Sequence, residues 1–372
     1  MNEEILALLA LLRMEGIGAK HTLLLRRRWG TLSQWWDRVR QPSERTSLPE
    51  PLQKASSQID LARKEAEALY LRCDRLGIRI LPFWEASFPS LLQEVSPPPV
   101  VLYHKGNLEV INKPSVAVVG TRKPTSYGLR ATEYFVEALV DAGLVIVSGL
   151  AYGIDACAHR ITVEKGGSTL AVLAHGLNRI YPPGHRKLAD AILENGAWLS
   201  EYPPDTPIHP THFPFRNRII AGLSHITLVI ESQEKGGALY TAQAAFQANR
   251  PVFAVPGEIF SPTSQGTHRL IAEHIAQIAT DASALLSELH FQKDRLPLPP
   301  QGVSSPEPED PLEKAIYTFL SDSPRHVDEI ALHLGRPVGE VTQQLLVMEV
   351  AGWIIQQPGG LIKRASPRGA TP

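Results

Sequence analysis

A chain of 372 residues, 43% of them hydrophobic and 20% charged, is long enough for two or three domains around a full central core. Its 37 Lys and Arg nearly balance 38 Asp and Glu, for a net charge of −1, so no global basic field exists and any polyanion site has to be local. With only Cys73 and Cys157, no signal-peptide pattern and no apolar run near about eighteen residues, a disulfide framework and membrane contact are excluded and a cytoplasmic protein is expected.

Residues 1–80 read as a helical domain of helix-hairpin-helix or SAM-like type. An apolar run from Ile5 to Leu12 leads into Met14-Glu-Gly-Ile-Gly-Ala-Lys20, then Leu23–Leu25 and Arg26–Arg28. Two glycines flanking one apolar residue between helices can present backbone N–H groups to a duplex phosphate, with Lys20 and the arginines beside them. A small helical bundle with such a turn is equally a protein-docking unit, and both readings stand.

Residues 81–295 read as a Rossmann-like core. A strand at Gly77–Leu81, a proline-ruled connector from Trp84 through Pro99 and an apolar run at Val100–Tyr103 precede Ser115–Val119, a short β-branched run of strand length. Gly120 stops that strand and Ser126 can cap the amphipathic run that follows. Between them, Thr121, Arg122 and Lys123 place two cations beside a helix N-terminus, which suits a phosphate. The turn lacks the spacing and the Lys-Ser/Thr pair of a Walker loop. The next strand, Leu144–Val147, ends in Ser148-Gly149 rather than the acid that a dinucleotide site needs. ATPase and NAD chemistry are therefore rejected.

The strand, glycine loop, helix pattern then repeats, the signature of a doubly wound parallel sheet. Gly149 and Gly153 suit close backbone approach. Asp155 and His159, four apart on the next helix, form either an acid/base pair or, more commonly, a contact that fixes the loop. A later loop carries Arg179, Tyr181, Arg186 and Lys187, the ingredients of a single-strand groove. A long proline-stiffened segment offers His209, His212, Phe213, Arg216, Asn217 and Arg218; Lys235, Gly236 and Gly237 follow the next strand. These loops together have glycine backbone and cations but no nucleophile–base pair, so they are expected to hold phosphates without catalysis or cofactor. No metal-ligand spacing occurs among the 13 His and two Cys. Leu270, Ile271, Ile275 and Ile278 offer more apolar surface than a sheet edge needs, which suits a two-fold homodimer contact or cover by the C-terminal part.

Residues 296–311 are a proline-rich linker, and 312–365 read as three helices and a hairpin, a winged-helix-like domain. Its acidic balance favours a docking or regulatory role over DNA reading.

The loop motifs closely resemble the DNA-processing protein A (DprA/Smf) family. They are VGTRKPTSYG (119–128), SGLAYGIDACAH (148–159), GLNRIYPPGHRKL (176–188), LSEYPP (199–204), FPFRNRIIAGLS (213–224), GGALYTA (236–242) and VFAVPGEIFSPTSQGTHRLI (252–271). The resemblance implies a cytoplasmic, dimeric, non-enzymatic protein that binds single-stranded DNA, protects it during natural transformation and helps load RecA. It maps Arg122 to the family's phosphate pocket and Arg216, Asn217 and Arg218 to its RNR motif, with Phe213 placed to stack a base. Ala174–Asn178, Gly184-His185 and Gly266–His268 depart from the family pattern on pocket loops. The rival is a nucleoside-monophosphate phosphoribohydrolase of the lysine-decarboxylase-like type, with a small-molecule substrate. Its Pro-Gly-Gly-x-Gly-Thr-x-x-Glu run appears here as Lys235-Gly-Gly-Ala-Leu-Tyr-Thr241-Ala-Gln243, without the catalytic acid.

Overall fold

The computed structural model describes residues 2–295, 310–320, 325–350, 353–357 and 361–364. Two compact units divide at residue 295, and positions 296–309 of the proline-rich linker lie outside the described residues.

The first unit is built on nine strands: β1 (Arg79–Pro82), β2 (Val101–Gly106), β3 (Ser115–Val119), β4 (Val145–Ser148), β5 (Thr169–Val172), β6 (Ala197–Ser200), β7 (Ile226–Val229), β8 (Val252–Ala254) and β9 (Gln277–Ile278). They lie in the order β1-β2-β6-β5-β4-β3-β7-β8-β9. β3 to β9 pair in parallel, whereas β1 and β2 close one edge antiparallel, β2 running against β6. From β3 the chain winds outward to β6, then returns to lay β7 on the other side of β3. The strand order therefore reverses between β3 and β7, the place where open α/β sheets receive ligands at their carboxyl ends.

The apolar runs are continuous because both faces are covered. Val116 and Val118 pack with Phe135, Leu139 and Ile154 on one face. Ala117 and Val119 pack with Ile219, Ile220 and Ala242 on the other. Each fully buried aliphatic side chain contributes about 1.5–3 kcal/mol. The N-terminal helices Glu3–Arg13 and Ala19–Trp29 share their core with Val101, Tyr103, Leu173 and Trp198, so they are packed onto the sheet.

Two local expectations are corrected. The Ser126–Asp141 helix is capped by Thr125, whose side chain accepts from the Gly128 N–H, and Ser126 is its first residue. Asp155 and His159 do not bond each other: the Asp155 carboxylate accepts from the Gly149 N–H at 3.1 Å, and His159 meets the Thr169 hydroxyl at 2.7 Å. Burial, together with the Arg216 and His185 charges, holds the His159 imidazole down at about 3, so it stays neutral.

The second unit has helices Pro311–Phe319, Val327–Leu334 and Val338–Val350. Its small sheet orders β10 (Arg325–His326), β12 (Leu361–Arg364) and β11 (Ile354–Gln357), over a core of Ile316, Ile330, Val341 and Met348. This is the winged-helix arrangement expected of the C-terminal residues. Residues 351–352, 358–360 and 365 fall outside the described ones.

Candidate nucleic-acid interface

A cleft of about 840 Å³ opens at the β3/β7 reversal. One wall is the turn after β3, with Gly120, Thr121, Arg122 and Lys123. Opposite it is the turn after β7, with Lys235, Gly236 and Gly237. Phe213, Arg216 and Asn217 of the His212–Gly222 helix also line it. These ten residues lie up to 117 positions apart in sequence and are brought to one end of the sheet by the parallel winding.

The cations divide by partner. Arg122, Lys123 and Lys235 are exposed and, among the described residues, have no carboxylate within ion-pair distance. Arg122 instead lies over the Phe213 ring, 5.4 Å from its centroid, and Tyr181 tilts against the same ring at 6.0 Å. Unpaired cations around a partly open aromatic ring can hold a phosphate while the ring takes a flat apolar group.

Arg216 behaves differently. Only 4% exposed, it donates to the Gly149 carbonyl at 2.8 Å and to the Val172 carbonyl, tying the loop after β4 to the end of β5. Burial brings its guanidinium down to about 10, with Asp155 pulling upward and Arg122 adding to the decrease. Burial likewise raises the Asp155 carboxyl, against the attraction of Arg216. Arg216 thus lines the floor of the cleft with its head already engaged by backbone carbonyls. Arg218 is not among the lining residues: its Nη2 donates to both Glu201 carboxylate oxygens at 2.6 and 2.8 Å, with its guanidinium over the Phe215 ring.

The glycines Gly149 and Gly153 stand behind the lining. A Cβ at Gly149 would overlap the Arg216 guanidinium. Gly153, at φ +78°, backs onto the Thr121 carbonyl and Arg122 backbone with no room for a side chain. Arg179, Arg186 and Lys187 are exposed but line no part of this cleft, and Arg186 is paired with Asp190 at 2.9 Å. His209 bonds Thr211 at 2.7 Å and His212 stacks on Tyr202 at 4.2 Å, both beside the cleft rather than in its lining. Leu270 is corrected too: it is 2% exposed in the core, while Ile271 and Ile275 pack partly against that core and Ile278 is 51% exposed.

Sequence reasoning missed Tyr240, Thr241 and Ile208 in the lining, and it missed Glu231 beneath it. Tyr240 and Thr241 lay in a quoted motif. Glu231 carried no local signal. Among the described residues no group of His, Cys, Asp and Glu could hold a metal, and no helix is long and apolar enough to cross a membrane.

Comparison with known proteins places this geometry. Residues 79–290 match the family model of DNA recombination-mediator protein A, and 299–360 match the DprA winged helix domain. Protein Smf of Escherichia coli K12 is 37% identical over 317 residues, covering 84% of each chain. The X-ray structure of DNA processing protein A from Streptococcus pneumoniae superposes with a TM-score of 0.64 at 32% identity, over 77% of this chain and 98% of that one. A Helicobacter pylori DNA processing protein A, solved for its single-stranded DNA binding mode, matches with a TM-score of 0.52 at 30% identity, over 58% of this chain and 96% of that one.

Proposed function

From the premise that this chain belongs to the DNA processing protein A (DprA/Smf) family, we propose that its β3/β7 cleft binds single-stranded DNA, with phosphates on Arg122, Lys123 and Lys235 and a base against Phe213. The observation that carries this reading is one cleft lined by three cations that have no carboxylate partner among the described residues, one of which, Arg122, lies over the partly open Phe213 ring. A base can reach that ring only when it is unpaired, which favours single strands over duplex. The one carboxylate of the lining, Asp155, is buried and committed to the Gly149 N–H, so the phosphoribohydrolase reading lacks an acid to act.

In this reading the protein is a cytoplasmic, cofactor-free handler of incoming DNA in natural transformation, which protects the strand and passes it to RecA. A gel-shift comparison of single- and double-stranded DNA over a salt series tests the binding step. Single strands should be preferred, and affinity should fall as salt rises, because phosphate binding releases counterions. Equal affinity for duplex, or binding indifferent to salt, overturns the reading.

Family membership also supports a homodimer. With Leu270 in the core, a two-fold contact on this face has to use Ile271, Ile275 and the exposed Ile278. Sedimentation at micromolar concentration should show a dimer that Ile278→Asp weakens; a monomer throughout removes the contact.

A further inference from the structure

The anion position at the N-terminus of the Ser126–Asp141 helix, beside the cleft, is already filled from within the protein. Glu231 follows β7 and is 2% exposed. Its carboxylate accepts from the Thr125 N–H at 2.9 Å and the Thr125 hydroxyl at 2.6 Å, and from the Thr263 hydroxyl at 3.2 Å. Its backbone carbonyl accepts from the Thr121 N–H at 2.8 Å. One residue therefore grips both ends of the five-residue turn that carries Arg122 and Lys123. Gly128 leaves the space this needs, since a Cβ there would fall on the Glu231 carboxylate. On the far side, the Ser232 N–H donates to the Thr263 carbonyl at 2.8 Å, so the same corner also ties down the loop after β8.

This arrangement changes which groups can meet a phosphate. A buried carboxylate on Thr125 takes the place that an incoming anion would otherwise occupy at the helix end, leaving the side chains of the turn to do the binding. Those side chains are long and flexible, and a cation on a loose turn loses affinity to the entropy of ordering it. A turn pinned at Thr121 and at Thr125 holds the Arg122 and Lys123 backbones still.

We propose that Glu231 is a positioning residue for the DNA cleft: a buried acid that, without touching the ligand, clamps the Thr121–Thr125 turn and so aims Arg122 and Lys123 at the strand. The inference rests on the single-strand reading of the cleft. It also has a counterintuitive sign, because removing a negative charge near a phosphate site should strengthen binding if charge alone mattered.

The test is a double-mutant cycle on single-stranded DNA affinity, with Arg122→Ala, Glu231→Ala and the two combined. Glu231→Ala should weaken binding about tenfold, whereas Glu231→Gln, which keeps the shape and can bond the same Thr125 and Thr263 groups, should stay within about twofold of the parent chain. In the Arg122→Ala background, Glu231→Ala should cost less than half its single-variant effect on a logarithmic scale. Tighter binding by Glu231→Ala and Glu231→Gln alike would mean that only charge matters and would overturn the proposal, as would fully additive losses in the cycle. Should Glu231→Ala fail to fold, Thr125→Val and Thr263→Val each remove one partner of the carboxylate and replace it in the cycle, with the same non-additivity expected and additivity again decisive against. If Arg122→Ala itself binds like the parent chain, the cleft reading fails instead, and the two failures are told apart.

Discussion

Arg122→Ala is expected to weaken single-stranded DNA binding roughly ten- to a hundredfold, the loss of one charge-assisted contact of about 1.5–3 kcal/mol. The guanidinium follows a strand buried on both faces, sits at the β3/β7 reversal and has no carboxylate partner among the described residues, so nothing inside the protein competes for it. Its contact is to phosphate. The loss should therefore be the same for different base sequences, and the slope of log affinity against log salt should become shallower by about 0.7, the value for one phosphate contact on a single strand. Phe213→Ala makes the contrast. It removes a stacking surface, costs about 1–3 kcal/mol and leaves the salt slope unchanged. Fluorescence anisotropy titrations of both variants at several salt concentrations separate the two roles. A sequence-dependent loss in Arg122→Ala, or a changed slope in Phe213→Ala, would exchange the assignments. No effect from either would move the site out of this cleft, and the exposed Arg27 and Lys20 of the N-terminal helices would be the next cations to test.

Much of this arrangement was readable from residue patterns, and the reason lies in the strands. Five-residue β-branched runs ended by glycine can be little other than buried parallel strands, and once β3 and β7 are recognised, the residues just beyond them are bound to share one end of the sheet. Arg122, Lys123 and Lys235 were legible on that ground. The Arg216-Asn217-Arg218 run was less so. Read as a string it offers two arginines together, yet on a helix residues two apart point about 200° away from each other. Arg216 accordingly enters the floor under Gly149 while Arg218 leaves for Glu201. Exposure of an arginine is not a property its neighbours in sequence reveal. Glu231 was invisible for a different reason: its hydrogen-bond partners at Thr121 and Thr125 lie 106 to 110 positions earlier, and only the strand order joins them. Leu270 looked like spare surface because the periodicity of its helix is sound, but periodicity does not say which layer covers the face, and here β8 and its neighbours do.

Replacing Arg216 is expected to damage the fold before it damages binding. The side chain is 4% exposed, and its head satisfies carbonyls at the ends of two strands while balancing the Asp155 carboxylate. Arg216→Ala leaves those two buried carbonyls without their donor, which costs about 1–3 kcal/mol each and lowers the melting temperature by on the order of 10 °C. The accompanying pH dependence has a definite sign. Burial already raises the Asp155 carboxyl above its unfolded value, so the folded state binds the extra proton, and stability falls as pH rises through the window between the two values. Without Arg216 to pull the other way, that window widens upward, so the deficit in Arg216→Ala should be smaller at pH 5 than at pH 8. Asp155→Asn placed in the same background should flatten the dependence and recover part of the loss at pH 8, because a neutral amide needs no cation beside it. Thermal unfolding of the single and double variants at both pH values measures all three quantities. A phosphate ligand that merely happens to be shielded would give the opposite pattern: Arg216→Ala as stable as the parent chain at every pH, with its entire defect in DNA affinity.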